Sequence, residues 1–128
     1  MSIFNHLTVG TADLAESQRF YDAALAPLGI KNLGGIPDVY VMYGDAAPQL
    51  IVIVPINGEP ATFGNGITIG FKAPTRSAVE VFHAAGCASG GTCEGKPGHR
   101  ESGPPGNYGA YLRDPVGNKL IAVTFNPE

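Results

Sequence analysis

Residues 3–9 (IFNHLTV) alternate, with Ile3, Leu7 and Val9 on one parity and Phe4, His6 and Thr8 on the other. This predicts a strand with one apolar and one mixed face. Asp13 followed by Glu16 reads as an N-cap and capping box, and Leu14, Tyr21, Leu25 and Leu28 follow at roughly helical spacing until Pro27 and Gly29 close the helix. A turn is predicted at Gly34-Gly35. Strands are predicted over Val39–Tyr43 and Gln49–Val54, separated by Gly44, Asp45 and Pro48. The second half has the same rhythm: a strand over Ile67–Lys72, a helix over Thr75–Gly86 and a weak strand near Gly91–Glu94. A hairpin of Asn107–Arg113 and Lys119–Phe125 then forms around Asp114-Pro-Val-Gly-Asn118. The Gly- and Pro-rich stretch Glu94–Gly106 is expected to be irregular.

The halves superpose along the chain. An offset of 62 places Phe20 on Phe82 and Gly29 on Gly91, and an offset of 69 places Asp45 on Asp114 and Ile51 on Leu120. The seven-residue difference falls within the 94–106 stretch. Two copies of one unit, each too small to bury its own sheet, predict a shared core, with module one over about 1–58 and module two over about 64–126.

Composition narrows the partners. A chain of 128 residues is one domain, and its 18 Gly and 11 Pro favour short strands over a helical bundle. A formal charge of −3 without a basic run offers no phosphate footprint, which argues against nucleic acid. No apolar stretch approaches the roughly 20 residues of a membrane span, and the N-terminus lacks a charged n-region followed by an apolar h-region. The expected setting is cytoplasmic, without membrane contact. Cys87 and Cys93, six residues apart, fit neither a C-x-x-C motif nor a zinc-ligand pair and are expected to be reduced.

The ordered set His6-Leu-Thr-Val, Asp13-Leu, Arg19-Phe-Tyr-Asp22, Ala26-Pro-Leu-Gly29, Gly64-Asn-Gly66, Ala73-Pro-Thr-Arg-Ser77, Val81-Phe-His-Ala84 and Arg113-Asp-Pro-Val-Gly-Asn118 covers nearly the whole chain. With the repeat, it resembles the glyoxalase, bleomycin-resistance and extradiol-dioxygenase group, the vicinal oxygen chelate superfamily. The resemblance implies an α+β fold of two tandem βαβββ modules whose curved, mixed or antiparallel sheets form a cup. It also implies a divalent metal held by one residue from each of four strands, and a homodimer.

The corresponding positions here are His6, Val52, Thr68 and Ile121. Only His6 keeps a usual ligand. Val and Ile have no donor atoms, and one imidazole with one hydroxyl cannot select a divalent ion from water. No metal cofactor is therefore expected, unless His99 and Glu101 of the long loop join His6 as an unusual ligand set. With Asp114 paired to Asn118, Tyr111 opposes Ile121; the offset of 69 then sets Met42 opposite Val52 and Tyr40 opposite Val54. Tyr40, Met42, Val52, Tyr111 and Ile121 are expected to line an apolar, phenol-bearing pocket, with His6, Thr68 and Arg100 supplying polar contacts. The leading expectation is a metal-independent binding protein for a small neutral or anionic, aromatic ligand. The alternative is a lyase, isomerase or dioxygenase that uses the unusual metal set, or His6 as acid/base.

Overall fold

A computed structural model describes residues 2–128. The first module runs β1 (Leu7–Gly10), α1 (Leu14–Leu25), a 3-10 turn (Ala26–Leu28), β2 (Lys31–Ile36), β3 (Tyr40–Gly44) and β4 (Pro48–Ile53). The second runs β5 (Thr68–Lys72), α2 (Arg76–Ala88), β6 (Thr92–Gly98), β7 (Tyr108–Arg113) and β8 (Lys119–Thr124). Each builds an open four-stranded sheet, ordered β1-β4-β3-β2 and β5-β8-β7-β6. The first strand of each module is parallel to its last and the other pairs are antiparallel. A parallel neighbour needs a crossover, and the helix supplies it. The architecture is α+β, two βαβββ modules in tandem.

Local chemistry sets the helix starts. The Asp13 carboxylate accepts from Glu16 N at 3.1 Å, and the Thr75 hydroxyl accepts from Ala78 N at 3.0 Å, each satisfying an amide that lacks a helical partner. Gly29, at φ 79°, closes the 3-10 turn in a conformation costly for side-chain-bearing residues.

Three element expectations need correction. The strand predicted over 3–9 is confined to Leu7–Gly10, because β4 begins at Pro48, which has no amide to donate, and offers little ladder before the Leu7–Leu50 pair. Gly34-Gly35 lies within β2, with a bulge between Asn32 and Gly34; the chain turns at Asp38, φ 65°. The stretch from Glu94 is regular as far as Gly98, since β6 pairs with β7 across two register irregularities. The extra residues of the second module enter beyond Gly98.

The core lies between the sheets. Phe20, Tyr21, Ala24 and Leu25 of α1 and Val79, Phe82 and Gly86 of α2 are buried, and the two helices pack against each other. Val41, Tyr43, Leu50 and Val52 close on them from one sheet, and Ala110, Leu112, Leu120 and Ala122 from the other. A Cβ at Gly86 would lie 2.4 Å from Leu112 Cδ1 and 3.2 Å from Phe20 Cε1, so the missing side chain is what lets helix, helix and sheet meet. The modules are also tied by a polar bond, from the Tyr21 hydroxyl to Asp114 Oδ2 at 2.5 Å. Among the described residues no helix is long and apolar enough to cross a membrane.

Candidate functional site

Strand alternation leaves each sheet a second face, turned away from the helices. On the first sheet it carries Tyr40 and Met42 of β3 opposite Ile53 and Ile51 of β4. This corrects the expected register, which set Met42 opposite Val52. Gly44 pairs with Pro48 while Tyr43 pairs with Leu50, so a bulge moves β4 by one residue and reverses its faces. Val52 therefore opposes Val41, fully buried beneath α1, and is withdrawn from the ligand-binding set. Ile51 takes its place.

On the second sheet the expected register matches the structure: Tyr111 opposes Ile121, with Gly70 on the far side of Ile121. Asp114 enforces this. Its Oδ1 accepts from the amides of Val116, Gly117 and Asn118 at 2.9–3.0 Å, which fixes the turn that joins the two strands.

Two cations stand over Tyr111. Arg100 Cζ lies 5.5 Å and Lys119 Nζ 5.0 Å from the ring centroid, within cation–π range. Arg100 is aimed by its loop. The side chain of buried Asn107 accepts from Arg100 N and donates to the carbonyls of Arg100 and Pro104, and Arg100 Nη2 donates to Lys96 O. Gly95 makes room beneath, since a Cβ there would come within 2.8 Å of Arg100 Nη2. Nearby Arg113 is already engaged: Glu94 lies 2.7 Å away and Gly117 O 2.8 Å, and its guanidinium sits over Phe63. The Arg113 charge holds the Glu94 carboxyl below its usual range, mainly through the hydrogen bond. Among the described residues that is the one side-chain ion pair; Arg100 and Lys119 form none, although the Lys119 charge also acts on the Glu94 carboxyl. Lys119 was absent from the expected set, although it stands two residues before Ile121 and so on the same face.

Of the remaining candidates, His6 shares a cavity with Gly70, and the others lie apart. His6 precedes β1, is exposed, and its Nδ1 is 2.7 Å from Asn5 Oδ1. It lines a cavity of about 450 Å³ near the edges of β1 and β5, with Asp45, Lys72, Leu28 and Phe71. Tyr40 lines another, of about 340 Å³, between α1 and the β2–β3 hairpin. Thr68 is exposed at the start of β5, opposite Lys119. A third cavity, of about 330 Å³, lies between β1 and the loop before β5. Lys119 lines this third cavity and Gly70 the first, whereas Met42, Ile51, Tyr111 and Ile121 line none of the three.

The divalent metal implied by the resemblance does not fit these residues. With the register corrected, the four positions hold His6, Ile51, Thr68 and Ile121, three of them without nitrogen, sulfur or carboxylate donors. His99 does not rebuild the set: its Nδ1 is 3.2 Å from Asn107 O, and no three His, Cys, Asp or Glu side chains among the described residues are grouped to hold a metal ion.

Comparison with known proteins gives a consistent picture. No protein-family model matches the chain, and no curated protein matches it significantly. Among solved structures, it is similar to a glyoxalase/bleomycin resistance protein from Albidiferax ferrireducens T118, at 47% identity over 96% of this chain and 98% of that one, with a TM-score of 0.85. A glyoxalase-related enzyme from Fulvimarina pelagi shares 20% identity over 99% and 90% of the two chains, TM-score 0.73. Lactoylglutathione lyase from Agrobacterium tumefaciens shares 21% over 96% and 92%, TM-score 0.64. The last two bear on the fold alone.

Proposed function

Because the chain belongs to the glyoxalase/bleomycin resistance/dioxygenase family of the vicinal oxygen chelate superfamily, we propose that it is a metal-independent binding protein for a small anionic, aromatic or otherwise apolar molecule. The observation that carries this reading is the pair of cations, Arg100 and Lys119, neither in a direct ion pair, over Tyr111, beside Ile121 and the bare backbone of Gly70. A carboxylate placed between the two cations gains charge-assisted hydrogen bonds. The ligand's apolar part then covers Ile121. A cationic ligand is disfavoured by the same charges.

A homodimer is part of the proposal. Tyr40, Met42, Ile51 and Ile53 form an uncharged face that one chain leaves half-exposed, and Ile3, Phe4, Ile56, Phe63 and Ile67 are also exposed. Apolar surface of this kind marks a partner-binding face, and a second copy would set an apolar sheet against the cationic one to complete a cup. Two free cysteines support a cytoplasmic setting.

The test is a melting-shift screen with matched aromatic carboxylates, neutral aromatics and aromatic amines. A ligand at 100 times its Kd stabilises by about 2.7 kcal/mol, so the carboxylates are expected to raise the melting temperature by several degrees and the amines not at all. Arg100→Ala and Lys119→Ala should each remove the shift while lowering the ligand-free melting temperature by no more than a few degrees, because both are half-buried surface charges outside any ion pair. A shift that survives both substitutions overturns the assignment. Stoichiometric metal, found by elemental analysis after incubation with divalent ions, would transfer the case to the enzymatic reading.

A further inference from the structure

We propose that Cys87 and Cys93 are the two halves of a reversible disulfide site that ties the end of α2 to the edge strand β6. Both thiols are free and exposed, and neither belongs to the ligand face. The chain reverses tightly between them. Ser89 N and Gly91 N both donate to Gly86 O, at 3.2 and 2.9 Å, and Gly90 takes φ 100°. Strand β6 therefore runs back along α2, with which it packs. Cys93 opposes Leu112, and Leu112 is the residue that fills the space left by Gly86, next to Cys87 in the chain. Cys93 thus shares a sheet face with Leu112, and Cys87 adjoins the glycine against which Leu112 packs, at the same end of α2. Their proximity is felt electrostatically: burial first, then the neighbouring Cys93, raises the Cys87 thiol above its usual range.

A third group completes the site. His83, one turn before Cys87, places Nε2 3.9 Å from its Sγ. Partial burial, followed by the charges of Lys96 and Arg100, holds the His83 imidazole below its usual range. With hydrogen peroxide as oxidant, the Cys93 thiolate attacks one peroxide oxygen, the O–O bond breaks, and a sulfenic acid forms with release of the first water. The Cys87 sulfur then attacks the Cys93 sulfur as the S–O bond breaks, and the Cys87 proton, relayed through His83, leaves with the departing hydroxide as the second water. The two sulfurs supply the two electrons that reduce the peroxide. A dithiol reverses the bond by exchange.

Treating the full-length protein with a small excess of hydrogen peroxide tests this. Thiol titration should fall from two per chain to none, the intact mass should drop by two hydrogens, and peptide mapping should find Cys87 joined to Cys93 within one chain, all reversed by dithiothreitol. Cys87→Ser and Cys93→Ser alter exposed side chains and should keep the wild-type melting temperature; each should gain oxygen on its remaining sulfur. Wild-type protein that gains oxygen on separate cysteines, links two chains, or keeps both thiols under conditions that oxidise the single-cysteine variants overturns the proposal.

Discussion

Asp114 shows how much one side chain can organise. Besides the three turn amides on Oδ1, its Oδ2 accepts from Asn118 Nδ2 at 2.9 Å and from the Tyr21 hydroxyl, so a carboxylate only 3% exposed has every acceptor site engaged. Tyr21→Phe removes one donor to a buried charge and should cost roughly 1.5–3 kcal/mol in chemical denaturation. The same hydroxyl predicts behaviour in alkali. Burial, then Asp114, holds the Tyr21 phenol well above its usual range; burial, then the hydrogen bond to Asp22, does the same for Tyr43. A group whose folded-state pKa is raised stabilises the fold fully below its unfolded value and loses that contribution as pH rises. Stability should therefore decline from about pH 10 upward, and in an absorbance titration these two tyrosines should ionise only with unfolding. The Tyr111 facing was legible from the Asp-Pro-Val-Gly-Asn turn, which announces its own pairing. The first hairpin carries no such signature: the bulge at Gly44 shortens it by one residue, and Val52 was thereby assigned to the wrong face.

Among the elements, the helices and the two inner hairpin strands of each module were legible because caps, apolar spacing and β-branched runs agree on them. Of the edge strands, β1 and β5 were legible too, whereas β6 was expected only as a weak strand near Gly91–Glu94 and β2 as a turn. β2 (KNLGGI) and β6 (TCEGKPG) carry glycine, proline and charge, which spoil alternation and read as turns, yet such residues suit an edge that must not pair with another molecule. Their strand character comes from the neighbour they pair with. Gly86 is the reverse case, an interior helix glycine that lowers local propensity and is retained for packing. Gly86→Val should push Leu112 and Phe20 outward and cost about 1–3 kcal/mol, measurable as a lower melting temperature, with the ligand-induced shift of the screen preserved because Tyr111 lies on the opposite face of the sheet.

At the scale of the whole molecule, the duplication was legible from the two common offsets, but the packing of the halves was not. Offsets carry no information about which faces meet, and the helices turn out to lie between the sheets while both candidate ligand faces point outward. This separates the expected site residues into a module-one group (His6, Tyr40, Met42) and a module-two group (Thr68, Arg100, Tyr111, Ile121) on different sheets. It also makes assembly the measurement that bears on the proposed cup: sedimentation should give a two-chain mass, and a single-chain mass would leave each face working alone.

The hydroxyl of Tyr21, seated in the turn of the other module, has a consequence for the chain as a connected object. Residues 54–67 belong to no helix or strand, whereas the recognition between halves is carried by side chains of α1, α2 and the Asp114 turn. The covalent link is then a tether and not a structural member. Residues 1–58 and 59–128, produced as separate polypeptides, should find one another in solution and regain the intact protein's circular dichroism when mixed. Tyr21→Phe in the first piece should weaken that reunion.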